Sequence, residues 1–341
     1  MGQPAEGHFS QDFLRKAGWA AFFIAAVLGL AIVALATGTL PVSLRQVAIA
    51  LFGEGEPRIR LVVVEWRAPR IAAAILAGMA LGMAGALFQT LLRNPLGSPD
   101  IIGFDSGAFS GALLAMVAGA SEMTVAGASL AGGLLAGVLI YGLSGFRNGS
   151  TGRIILIGIA VSAFFMALND WVVMTAQLDT ALAAASWKAG SLNGVDGTKL
   201  ALGGLMLCLL LPAALACARA LRILELGDDR AASLGENVAA TQLKIGLVGL
   251  ALTAVATFVA GPVGFVALIA PRVALWLIGG ASIPLLASAL FGAVFLLSSD
   301  LAGRLFFLPR IIPTGAMTAA LGGVYFVVLL WSRRNGKGAL A

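Results

Sequence analysis

The chain has 341 residues, 60% of them hydrophobic and 11% charged, with a formal net charge of +6. A mean hydropathy of +0.98 excludes a soluble domain of this size, which could not bury so much apolar surface. The single histidine, His8, lies in a polar N-terminal stretch, and both cysteines, Cys208 and Cys217, fall within one apolar run, so a zinc or heme site and a disulfide framework are not expected.

Met1–Lys16 is polar and leads into an apolar run without a small-residue cleavage site, so it is expected to stay attached to a first spanning helix. Apolar runs, mostly of about 18–25 residues, recur along the whole chain, and such a run can cross a ~30 Å hydrocarbon core. They fall at 17–38, 71–92, 106–120, 123–145, 154–176, 200–218, 244–260, 262–279, 282–299 and 314–332. The expected fold is therefore all-α, a polytopic bundle of about ten spans forming one transmembrane domain over 1–341. An even number of spans puts both termini on one side. With that side cytoplasmic, the inner stretches are 93–105, 146–153, 219–243 and a turn near 280. Lys and Arg favour these only weakly, because the outer stretch 39–70 carries Arg45, Arg58, Arg60, Arg67 and Arg70. Charge alone leaves the opposite orientation open; Arg333, Arg334 and Lys337 favour cytoplasmic termini. Basic residues placed this way are a topology signal, and no nucleic-acid partner is expected.

The outer stretch 39–70 contains a candidate surface helix from Pro41 to Phe52, and 177–199 contains Trp187, expected as an interfacial anchor. Pro212 lies inside one run and Pro271-Arg272 interrupts another; such breaks require protein or a wet cavity around the freed backbone. Gly78-x-x-x-Gly82, Gly103-x-x-x-Gly107-x-x-x-Gly111 and Gly133-x-x-x-Gly137 have the spacing that lets spanning helices approach closely.

Seven charges crowd between Arg219 and Glu236. They predict a short amphipathic helix outside the membrane, with Asp228 and Asp229 capping its N-terminus and Ala231, Leu234 and Val238 on one apolar face. Such a helix is a handle for a soluble partner. No nucleotide-binding Gly-x-x-x-x-Gly-Lys-Ser/Thr loop or Gly-x-Ser-x-Gly elbow occurs, and one tail histidine cannot build a triad, so catalysis on this chain is not expected. Only Asp170 and Arg272 look deep in the membrane. Asp170 fits an interhelical hydrogen bond or pore mouth, an ion relay, or a cargo contact; Arg272 fits either snorkelling to the inner surface or a partner contact.

A series of motifs in matching order covers about residues 60–330. It runs through Trp66-Arg-Ala-Pro-Arg70, Gly78-Met-Ala-Leu-Gly-Met-Ala-Gly85, Gln89 and Asn94-Pro-Leu-Gly-Ser-Pro99. It continues through Trp187-x-x-Gly-Ser-Leu192, Leu226-Gly227…Leu234-Gly235, Gly261-Pro-Val-Gly-Phe265, Ser299-Asp300…Arg304 and Pro313-Thr-Gly315. This series resembles the FecCD family of iron-siderophore and cobalamin ABC importer permeases. Within it, Arg93–Asp100, Gly103–Ala108 and Leu224–Asp229 look most like members that carry a ferric catecholate of the enterobactin type.

The resemblance implies a permease subunit of the inner, cytoplasmic membrane, working with two ABC ATPase subunits and a second permease, a paralogue or another copy of this chain. A periplasmic or lipid-anchored binding protein would deliver the ferric siderophore. No cofactor is implied on this chain; ATP and Mg would sit on the ATPases. Leu226, Gly227, Asp228, Asp229, Arg230, Ala231, Leu234 and Gly235 are implied to couple to the ATPases, Arg67, Arg70 and Arg304 to dock the binding protein, and Asn94, Pro95, Leu96, Thr151 and Gly152 to form the cytoplasmic gate. Gly152 stands where a hydroxyl residue is expected. Asn169 and Asp170 are candidate pathway residues, and a carboxylate there would repel an anionic chelate unless it lies off the path or is paired. Two rival readings are the same machinery carrying cobalamin or heme, and an ion-coupled transporter working alone.

Overall fold

The computed structural model describes residues 6–145, 151–280, 282–307 and 310–334. Each expected span contains a helix. The long ones are α1 (Glu6–Ala36), α4 (Ala68–Leu91), α7 (Glu122–Ser144), α8 (Thr151–Thr175), α10 (Gly197–Leu224), α12 (Val238–Ala260), α14 (Leu285–Leu305) and α15 (Thr314–Arg334). Short elements join them: α2 (Leu44–Leu51), α3 (Pro57–Arg60), α5 (Pro99–Ile102), α9 (Leu178–Lys188) and α11 (Asp228–Ser233). The expected surface helix is α2. It opens on a reciprocal cap in which Gln46 N donates to Ser43 Oγ at 3.3 Å and Ser43 N donates to Gln46 Oε1 at 3.0 Å.

Two expected spans hold short helices. α6 (Phe104–Val117) has 14 residues and α13 (Val266–Ile278) has 13, about 20 Å each at 1.5 Å per residue. Hydropathy counts the glycines and valine ahead of α13 as apolar, but Gly261-Pro262-Val263-Gly264 is not helical, and Gly261 and Phe265 both sit at φ +69. Ahead of α6, Gly103 sits at φ +101 against the middle of α8. A Cβ there would meet Ser162 Oγ at 2.0 Å. The chain at Gly97 and Ser98 thus folds back into the protein, where its non-helical backbone is covered.

The interior belongs to α4, α12 and α14. Of the apolar stretch ending at Leu91, 83% is buried, against 11% for α1 and 17% for α8. Helix α4 meets α14 backbone to backbone: a Cβ on Gly78 would lie 2.4 Å from Gly292 O, and one on Gly82 2.1 Å from Ser288 O. The other two glycine series also lie at helix contacts. Gly107 and Gly111 of α6 lie against Gly132 and Ala128 of α7, while Gly133 and Gly137 accept Phe104 and Leu250.

Gly85 brings α4 onto Ala267 O of α13, and this contact repairs a helix break. Pro271 has no N–H to offer the carbonyl four residues back, which is Ala267. Gln89, one turn below Gly85, donates Nε2 to Leu268 O at 2.9 Å and Ala267 O at 3.4 Å. A buried amide on one helix thereby reaches the carbonyl freed on another and the carbonyl next to it.

Candidate functional site

Helix α4 carries candidate functional residues at both ends. Its 24 residues span about 36 Å. Just before it, Leu61–Arg67 winds as a π-helix, wider than the α-helix that follows. Arg67, only 7% exposed, turns back to the end of α1 and donates to Leu35 O and Leu40 O at 2.6 Å each. It thereby closes a carbonyl that the end of α1 leaves open and a second one in the loop beyond it. Arg70, one turn on, grips Asp300 of α14, with Nε 3.0 Å from Oδ1 and Nη2 2.7 Å from the same oxygen; Nη1 donates to Asn193 Oδ1. Arg304 pairs with Asp300 at 3.0 Å and Thr314 Oγ1 donates to it at 2.9 Å. The Asp300 side chain is fully buried. Two arginines therefore share one carboxylate, and with Arg67 beside them positive charge is in excess. Together with Arg58, Trp66 and Ile311 they line a cavity of about 440 Å³. Asp300 was visible in the sequence only as a motif letter; its role depends on Arg70, which lies 230 residues away.

At the other end of α4, the chain turns through Arg93, which has φ +46. Asn94 Oδ1 accepts from Leu96 N at 2.9 Å, and Gly97 N donates to Asn94 O at 2.9 Å, giving a tight Asx turn. Leu96 is 38% exposed at its tip. Of the other expected gate residues, Thr151 starts α8, but its side chain lies outside what is described. Gly152 is exposed with open space around its Cα, so packing does not require glycine there. Residues 146–150 of that inner stretch lie outside the described residues.

The charged island forms α11, with two corrections. Gly227, at φ +104, is its N-cap, and neither Asp228 nor Asp229 caps it; both lie in the first turn, where they still oppose the helix dipole. The helix ends at Ser233, so the expected apolar face is not continuous. Ala231 is fully buried, Leu234 is 64% exposed, and Val238 already belongs to α12. Leu226, Asp229, Arg230 and Gly235 are exposed. Asp228 accepts from Arg93 Nη2, and from Gln242 Nε2 at 3.3 Å.

A second cavity, about 380 Å³, opens between the starts of α6, α13 and α15, lined by Asp105, Ser106, Asn169, Lys188, Phe265 and Ala316. Asn169 is 3% exposed and tied to α6: Nδ2 donates to Ser106 O at 3.1 Å and Oδ1 accepts from Ser110 at 2.7 Å. Asp170, its neighbour, does not line this cavity. It is exposed on the bare face of α8 beside Met166, Trp171 and Met174. Trp187 stacks on Phe109 at 6.0 Å, and Lys188 Nζ stands 5.2 Å from the Phe109 ring. Arg272 is half-buried on α13. Among the described residues, no group of three or more His, Cys, Asp or Glu could hold a metal ion.

The pattern of the FecCD transport family matches residues 25–332. The chain belongs to the FecCD transport family. A family relative, the ferric enterobactin transport system permease protein FepG of Escherichia coli (strain K12), is 44% identical over 305 residues, covering 89% of this chain and 92% of that protein. The probable siderophore transport system permease protein YfhA of Bacillus subtilis (strain 168) is 35% identical, covering 96% and 98%. A solved chain of a metal-chelate type ABC transporter in an inward-facing conformation superposes with a TM-score of 0.83 at 26% identity, covering 92% of this chain and 98% of that one. The family resemblance read from the motifs therefore holds, and so does the all-helical permease fold.

Proposed function

We propose that this chain is the non-catalytic permease subunit of an ABC importer that moves a ferric siderophore, of catecholate type, across the cytoplasmic membrane. Both termini face the cytoplasm. Two partner ATPases hold ATP and Mg and bear on α11, and a second permease, paralogous or identical, completes the pathway along the bare face of α8. A periplasmic or lipid-anchored binding protein docks over the arginine cavity, its acidic side chains meeting the excess positive charge of Arg58, Arg67, Arg70 and Arg304. Charge pairs of this kind steer encounter and fix orientation more than they add affinity. Residues 94–96, with the start of α8, form the inner gate. Leu96 closes a narrow passage by apolar contact and dewetting. Binding of ATP to the closed ATPase pair supplies the differential that shifts the permease between access states.

The observation that carries this reading is the layout of α4. One buried helix joins the arginine cavity at its first turn to the gate turn and the α11 contact at its last. The test is reconstitution. Proteoliposomes holding this chain, its partner permease, the ATPases and the binding protein should take up ferric enterobactin only with internal ATP. Uptake by this chain alone under a proton or sodium gradient would sink the proposal. Uptake of cobalamin or heme in place of the ferric catecholate would correct the cargo and leave the machinery standing.

A further inference from the structure

We propose that Arg93 is a positioning residue that carries displacement of α11 into the gate turn at Asn94–Leu96. The inference rests on reading α11 as the ATPase contact and 94–96 as the gate, and it adds the physical link between them. Arg93 lies at the junction. Its backbone occupies the left-handed region at φ +46, which an arginine adopts only when its surroundings hold it there. The holding contacts come from three helices, one of them braced by a fourth. Arg93 N donates to Thr90 O of α4 at 3.2 Å, and Nη2 donates to Leu224 O, the last carbonyl of α10, at 3.2 Å. The same Nη2 reaches Asp228 Oδ1 in the first turn of α11, an oxygen that also accepts from Gln242 of α12.

The link can transmit movement for three reasons. Helix α11 is held to the core by Ala231, while its other side chains are exposed, so a docked partner can shift it as a unit. The turn after Arg93 is stiffened by the two hydrogen bonds of Asn94, so rotation at residue 93 swings Leu96 rather than loosening the loop. The ion pair is itself about half exposed, at 43% and 50%, and pairs of that kind contribute little to stability, so breaking it leaves the fold intact. When α11 moves, Asp228 moves with it, the guanidinium must follow or let go, and the strained backbone at 93 relaxes toward the ordinary region. Charge patterning could not reveal this, because the two partners are 135 residues apart.

The test uses the assembled complex in nanodiscs, with Cys208 and Cys217 replaced by serine and a reporter cysteine placed by Leu96→Cys or Arg230→Cys. The rate of modification by a soluble maleimide is measured with and without ATP and vanadate, and cargo carried per ATP hydrolysed is measured in proteoliposomes of the complex without reporter cysteines. With Arg93 present, both reporters should respond to ATP. In Arg93→Gln, the response at 230 should persist and the response at 96 should vanish. Cargo per ATP should then fall about tenfold, the loss of one charge-assisted contact in the transmitting step. Arg93→Lys should recover most of that ratio. A full ATP response at 96 in Arg93→Gln would overturn the proposal. No response at either reporter with Arg93 intact would instead remove the coupling reading, and this link with it.

Discussion

Replacing Asp300 by alanine tests the arginine cluster most directly. The carboxylate is fully buried and accepts from Arg70 and Thr314 while pairing with Arg304, whose side chain is 10% exposed against 12% for Arg70. Asp300→Ala leaves two mostly buried guanidiniums facing each other with no counterion. Removing one partner of a buried ion pair costs about 3–5 kcal/mol. At roughly 2 °C per kcal/mol for a chain of this size, the melting temperature should fall by about 6–10 °C. Asp300→Asn keeps an acceptor oxygen and should fall less. A third variant separates charge burial from packing. Asp300→Leu with Arg70→Met and Arg304→Met removes every buried charge of the triad, and such apolar replacements are often neutral or stabilising. It should melt near the native protein, with Arg58 and Arg67 the cations left in the cavity. Scanning fluorimetry of the purified chain in detergent reads all three. If Asp300→Ala melts within about 2 °C of native, the carboxylate does not hold the arginines together as described.

Four further outcomes are expected. Gly82→Leu should abolish folded protein in the membrane, since even a Cβ would sit 2.1 Å from Ser288 O, whereas Gly142→Leu, with open space around it, should express normally; size-exclusion profiles of the two decide this. Gln89→Leu strips the donor from Ala267 O and Leu268 O and should cost about 1–3 kcal/mol, read as a lowered melting temperature; an unchanged one would mean the Pro271 break needs no repair. Arg58→Glu, at an exposed position on the arginine cavity, should slow association of the binding protein several-fold at low salt and little at high salt, because screening removes the steering. A salt-independent, native rate measured by stopped flow would remove the proposed outer contact. Asp229→Lys, on the exposed side of α11, should lower cargo-stimulated ATP turnover without reducing the amount of inserted permease; native turnover would count against α11 as the ATPase contact.

The fold was legible in the sequence because membrane burial writes long apolar runs, and each run holds a helix. Span length was not legible where glycine and proline break a run without making it polar: Gly261–Gly264 reads as part of an apolar stretch yet delays α13 until Val266. The position of α11 was legible from charge, but its apolar face was not, because periodicity cannot see that Gly235 at φ +85 ends the helix and turns Leu234 outward. The arginines at 67, 70 and 304 stood out as motif residues. What holds them did not, since Leu35, Leu40, Asn193 and Asp300 are brought in by tertiary packing from distant parts of the chain. The stacking of Trp187 on Phe109 was hidden for the same reason, since only the fold brings the two rings together.

The seam between α4 and α14 has one more property. Where Gly78, Gly82 and Gly292 bring bare main chain against main chain, no interlocked side chains must be lifted clear before one helix turns against the other. A junction of that kind resists being pulled apart, since any gap forfeits close contact along its whole length, yet offers little friction to a small swivel. The spacing between residues 82 and 288 is therefore expected to stay fixed through the transport cycle while the angle between the two rods changes. Spin labels placed just outside the seam would register a hinge without a parting.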